Sequence, residues 1–106
     1  MRILFDQGTP VPLRRSLHPH KVDTASEMGW SSLTNGELIS AAEKNGFDAM
    51  ITTDQSLKYQ QNLSQRKLGI IVLKTTSWPR IRSGISRITK GVNSIPSSGY
   101  LEIEFD

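Results

Sequence analysis

Gly69-Ile70-Ile71-Val72-Leu73 is an unbroken apolar run in which three of five residues are β-branched. A strand exposed on one face alternates polar and apolar residues, so a run with no polar position is what a strand covered on both faces requires. Covering helices are legible on either side of it. Downstream, Ser77 offers a cap and Pro79 falls in the first turn. Ile81, Ile85, Ile88, Val92 and Ile95 then recur at helical spacing. One continuous amphipathic helix is predicted, with Arg80, Arg82, Arg87 and Lys90 on its other sides. Upstream, Phe47–Thr52 reads as another strand and a short helical turn follows Asp54, leading into the polar Gln60-Gln61-Asn62. Thr34-Asn35-Gly36-Glu37 is a capping-box pattern opening a helix that Asn45-Gly46 closes.

The same reading extends to both ends. Arg2–Phe5 is a short apolar strand stopped by Asp6-Gln7-Gly8. Thr9 should cap a helix with Pro10 at its first position, running to about Leu17 and ended by Pro19. Lys21–Ala25 is a weaker strand, followed by a turn at Glu27-Met28-Gly29-Trp30, and Tyr100–Phe105 alternates as a half-exposed edge strand should. Strands alternating with helices over short connections predict an α/β protein, a three-layer α/β/α sandwich around a mostly parallel five-stranded sheet. At 106 residues, a single domain spanning 1–106 is expected.

The chain has no cysteine. That excludes disulfides, thiolate nucleophiles, iron–sulfur clusters and Cys-based zinc modules, and leaves carboxylates, hydroxyls, amides, imidazoles or a bound ion for any chemistry. Ile3-Leu4-Phe5 is too short for a signal-peptide core and Ile70–Leu73 too short for a membrane span, so a cytoplasmic protein with no membrane partner is expected. The net charge of +3 is unevenly spread: residues 1–53 carry −1 and residues 54–106 carry +4. All eight basic residues of the second half lie between Lys58 and Lys90, a stretch without Asp or Glu. It is either a set of solvated faces or a stripe suited to a polyanion.

In open α/β sheets, sites lie beyond the C-terminal ends of the strands. Asp6 and Asp54 stand at two such ends, and Glu37 begins a helix on the same rim. Carboxylates converging at about 4 Å repel by about 4 kcal/mol per pair at an effective dielectric near 20, and a hard divalent cation relieves this. Each acid also has a structural reading: Glu37 as the partner of Thr34 in the capping box, Asp54 as the cap of the helical turn after it, Asp6 in an Asx turn onto Gly8. His18 and His20 match no metal spacing, Trp30 and Trp78 read as sheet-covering residues more than as base-stacking ones, and no phosphate-binding glycine loop occurs.

Met1-Arg2-Ile3-Leu4-Phe5-Asp6, the Glu27–Trp30 turn, Asn35-Gly36-Glu37-Leu38 and Ile51-Thr52-Thr53-Asp54 together resemble a group of small bacterial PIN-like proteins, relatives of the PIN-domain ribonuclease toxins. The resemblance runs over nearly the whole chain. It implies a magnesium- or manganese-dependent endoribonuclease with Asp6, Glu37 and Asp54 as metal-binding and catalytic acids. Thr53, Gln7, Asn35 and Gln55 would be auxiliary polar groups. Arg14, Arg15, Lys58, Arg66, Lys67, Arg80 and Arg82 would guide RNA to the rim. For a toxin it further implies a cognate antitoxin and a homodimer. Relatives commonly carry Asp-Glu-Asn where this chain has Asp6-Gln7-Gly8, Asp at the position of Asn35 and a further acid near Leu57. Fewer acids keep a second expectation open, a nucleic-acid-binding or protein-interaction module that does not cleave. A third is a receiver-like phosphoacceptor domain, with Asp6, Asp54 and Lys74 as its charged set.

Overall fold

A computed structural model describes residues 1–105 and places five strands in one sheet: β1 (Arg2–Phe5), β2 (Lys21–Thr24), β3 (Ala49–Thr52), β4 (Gly69–Leu73) and β5 (Tyr100–Ile103). The order across the sheet is β2-β1-β3-β4-β5, and every neighbouring pair is parallel. Parallel pairing extends to β5, so the expected edge strand is present and no antiparallel member is. The helices are α1 (Asn35–Lys44), α2 (Leu57–Gln60), α3 (Trp78–Ser83) and α4 (Ile85–Ser94), with 3-10 segments at Val11–Leu17 and Leu63–Gln65.

Strand periodicity sorts the core into two layers. Ile3, Phe5, Ile51, Ile71 and Leu73 face Leu13, Leu17, Ile81, Ile88 and Val92. Leu4, Met50, Ile70 and Val72 face Leu38, Ile39, Ala42 and Leu57 on the other side. This is the three-layer sandwich read from the run at Gly69–Leu73, all five residues of which are buried. No helix among the described residues is long and apolar enough to cross a membrane.

Two local expectations fail for identifiable reasons. The segment after β1 is a 3-10 helix that Thr9 does not cap. The Thr9 hydroxyl donates instead to the Ile51 carbonyl at 3.0 Å, and Pro10 occupies the cap position. Pro10 and Pro12 supply no N–H to an α-helical ladder. The helix expected from Ser77 to Ile95 divides at Gly84. A Cβ at Gly84 would lie 2.5 Å from the Phe105 ring, so the aromatic side chain sits in the notch where the helix breaks. The apolar stripe survives the break, with Ile81, Ile88 and Val92 buried, and Ser77 caps α3 as expected, accepting the Arg80 N–H.

Candidate functional site

Connections from β1 leave toward β2 on one side, while β3 lies on the other side of β1. The order therefore reverses between β1 and β3, and the crevice above that point is where open α/β sheets bind ligands. Asp6 and Asp54 stand on its two sides.

The Asp6 turn is latched onto the end of β3. The Asp6 N–H extends the ladder to the Ile51 carbonyl at 3.0 Å, and the Thr9 N–H closes back on the Asp6 carbonyl at 3.1 Å. Gly8 takes φ +91° and approaches so closely that a Cβ there would lie 2.8 Å from Thr53 Oγ1. Only glycine meets both conditions without strain. Asp6 Oδ1 accepts the Gln7 N–H and Oδ2 accepts the Thr52 hydroxyl, both at 2.8 Å. The fully buried Thr52 hydroxyl in turn accepts the Asp54 N–H at 3.0 Å. One hydroxyl thus ties the two acids together, the residue next to the Thr53 that the motif suggested. Thr53 instead packs against Gly8.

Asp54 is held by a closed ring of side chains. Its Oδ1 accepts the Ser56 N–H at 2.9 Å and the Ser56 hydroxyl at 2.7 Å, and its Oδ2 accepts the Asn35 amide at 2.9 Å. The second Asn35 amide hydrogen goes to Gln60 Oε1, and Gln60 Nε2 donates to Ser56 Oγ, each at 3.0 Å. Asn35 reaches Asp54 because the capping box fixes the first turn of α1. Glu37 Oε1 accepts the Thr34 N–H at 2.9 Å and the Thr34 hydroxyl at 3.1 Å. Glu37 is exposed, and its carboxylate hydrogen bonds go to Thr34.

Electrostatics separates the acids. Burial pushes the Asp6 carboxyl above its ordinary value; hydrogen bonds from Thr52 and Gln7 oppose this, and the Asp54 charge adds to it. Asp54 is held below its ordinary value, chiefly by the Ser56 hydroxyl, against some burial and with help from the Ser56 N–H and Asn35. Thr34 lowers Glu37, mainly through its N–H. Asp23, Glu27, Glu43, Glu102 and Glu104 each have a Lys or Arg within 4.0 Å. Among the described residues, Asp6, Glu37, Asp48 and Asp54 have none.

No group of three His, Cys, Asp or Glu side chains able to hold a metal ion occurs among the described residues. Two carboxylates remain, a donor set that magnesium accepts because it binds through one or two carboxylates and keeps several waters. Asp6 and Asp54 are the residues that would hold it. Leu57 is buried and anchors α2 in the core, so no further acid stands at that position.

The basic residues do not form one stripe. Lys67 lies where the chain enters β4, at the end of the sheet opposite Asp54, while the Arg66 guanidinium lies along α1, on Glu43 at 3.3 Å, the Ser40 hydroxyl at 2.8 Å and the Gly36 carbonyl at 3.4 Å. Lys58 is bound to Glu102 at 2.9 Å, Lys74 to Glu104 at 3.3 Å, and Arg14 to Glu27 at 2.6 Å. Arg15 is exposed on the 3-10 helix, and exposed Arg80 and Arg82 lie on α3, which starts at the rim. Gln7 and Gln55 are exposed at the same rim. A 210 Å³ cavity beside Asp6 is lined by Gly8, Thr9, Val11, Thr24 and Ser26. Trp30 and Trp78 pack against the two core layers, and His20 bonds the N-terminal amine and Asn93. Compared with family models, curated proteins and solved structures, the chain matches none of them.

Proposed function

We propose that this chain is a PIN-like, metal-dependent endoribonuclease whose site is the crevice between β1 and β3, with Asp6 and Asp54 holding magnesium or manganese. The observation that carries this reading is the pair of strand-end acids linked from the Asp6 carboxylate through the buried Thr52 hydroxyl to the Asp54 backbone N–H, neither carboxylate having a Lys or Arg within 4.0 Å among the described residues. Of the four described acids without a basic partner, Glu37 is closed in its capping box and Asp48 lies at the far end of the sheet, so Asp6 and Asp54 are the uncompensated pair at the switch point, which favours a cation from solution. A bound divalent ion would offset the repulsion and polarise a phosphodiester toward attack by water. Asp54, already held ionised by Ser56 and Asn35, is the permanent anchor. Asp6 gives up its proton more reluctantly, so cation binding competes with protonation there. In this reading RNA is the substrate, a cognate antitoxin the regulator and the cytoplasm the place of action; a homodimer is part of the same expectation.

The test is RNA cleavage with magnesium or manganese by the wild type and by Asp6→Asn and Asp54→Asn proteins whose folding is checked by circular dichroism. Cleavage lost in both variants is expected; equal cleavage by all three overturns the metal assignment. A second reading, a module that binds RNA without cutting it, is favoured by Glu37 being closed in its capping box and by Asn35 standing where relatives have an acid. A wild type that binds RNA but cleaves none with either ion would select it. The receiver-like reading has the shared strand order in its favour, but the Lys74 ammonium lies on Glu104 and Glu102.

A further inference from the structure

We infer that Tyr59 is a base-stacking platform of this site, taking the face of an unpaired nucleobase in a single-stranded RNA that runs from the Asp54 rim toward β5. The inference rests on the nuclease reading above and adds a binding residue to it.

Tyr59 is 80% exposed, while Phe5, Trp30, Phe47, Trp78, Tyr100 and Phe105 are buried or partly buried. An isolated exposed aromatic residue is unremarkable on a surface. This one belongs to a four-residue helix that the fold holds at three points. Leu57 is sunk in the core, Gln60 closes the ring that grips Asp54, and the Gln61 side chain lies so near α1 that a Cβ at Gly36 would be 3.0 Å from its Oε1. So short a helix has no stability of its own, and these tethers fix Tyr59 relative to Asp54. The Lys58 ammonium lies 5.1 Å from the centre of the Tyr59 ring and also binds Glu102 of β5, which places the ring toward the β5 edge. With a cation interacting with the ring and water around it, the aromatic surface is available to a base, and stacking accepts any base because each has a π-face. Glu102 neutralises Lys58, so the contact is carried by the ring and not by charge.

The experiment measures binding of a fluorescein-labelled oligouridine eight-mer by anisotropy. Calcium replaces magnesium, because it occupies oxygen sites while the strand stays intact. Tyr59→Ala should weaken binding about tenfold, and Tyr59→Phe should stay within about twofold of the wild type. The slope of log affinity against log salt should be the same for all three proteins, because no phosphate contact is removed. Wild-type affinity in Tyr59→Ala, or a Tyr59→Phe loss equal to that of Tyr59→Ala, overturns the stacking assignment and leaves the nuclease reading standing. A wild type that does not bind the oligomer overturns both. Tyr59 is exposed, so the variants are expected to fold, and their circular dichroism checks it.

Discussion

The two ends of the sheet treat their acids in opposite ways. At the N-terminal end, Glu43 accepts the Lys67 N–H, the Leu68 N–H at 3.1 Å and the Arg66 guanidinium at 3.3 Å, while Asp48 accepts the Arg2 N–H at 2.8 Å. Arg2 also binds the Asn45 carbonyl, pairs with Asp23 and lies 4.1 Å over the Phe47 ring. These acids bind chain entries together, and a 370 Å³ cavity lies beside them, lined by Met1, Glu43, Asp48 and Lys67 among others. At the C-terminal end, Asp6 and Asp54 are bonded mainly by short, local donors and lack a cation. Glu43, which ties two backbone N–H groups and a guanidinium, is structural; Asp6 and Asp54, paired at the switch point without a cation among the described residues, are suited to a ligand.

The contrast breaks most sharply in activity. Asp6→Asn or Asp54→Asn should lower RNA cleavage by more than about 100-fold, since even outer-shell partners of a metal cost 10–100-fold. Glu43→Gln should leave the rate of the folded protein within about threefold, because its carboxylate lies at the far end of the sheet. A comparable loss in Glu43→Gln would dissolve the distinction.

Stability should show the reverse order. Glu43→Gln strips charge from a group serving three donors and should cost about 2 kcal/mol in a urea melt, whereas Asp6→Asn should be neutral or mildly stabilising at pH 7. Their pH dependences have opposite sign. Burial raises Glu43, but the Leu68 and Lys67 N–H groups and Arg66 outweigh it and leave it below its ordinary 4.5. Its contribution is present above 4.5 and is lost as pH falls through the lowered value. Asp6 sits above its ordinary 3.8, so its contribution is present below 3.8 and is lost as pH rises through the raised value. Stability measured from pH 3 to 7 checks both: Glu43→Gln should remove part of the acid-side fall, and Asp6→Asn part of the decline on the other side. The same sign in both variants would contradict the geometry.

The smallest effect concerns RNA affinity. Arg80→Ala should reduce the salt slope by about one and Lys67→Ala should leave it unchanged, as read by anisotropy at several salt concentrations. An equal change would mean that RNA contacts both ends of the sheet.

Much of this was legible along the chain. Strand ends at Phe5 and Thr52 placed Asp6 and Asp54 on one rim, and Thr34 with Glu37 announced the start of α1. Thr52 was not singled out, because a hydroxyl closing a β strand gives no local sign of the acid it will meet 46 residues away. Gln60 and Ser56 escaped for the same reason: glutamine and serine in a polar segment look like solvated loop. Leu57 carried a usable signal, an aliphatic residue in an otherwise largely polar segment.

By itself the sequence determined the alternation of strands and helices, the capping box and the residues at which strands stop, since periodicity and bonds spanning three or four residues are local. Tertiary structure decided which groups meet. In a parallel sheet every crossover carries the chain back to the opposite end, so neighbours in sequence are separated and strand ends far apart in sequence converge. The acid-free stretch from Lys58 to Lys90 therefore divides between the two ends of the sheet, leaving Lys67 at one, Arg80 and Arg82 near the other, and the Arg66 guanidinium along α1. The same crossovers bring Asp6 beside Asp54 and close Gln60 and Asn35 around it.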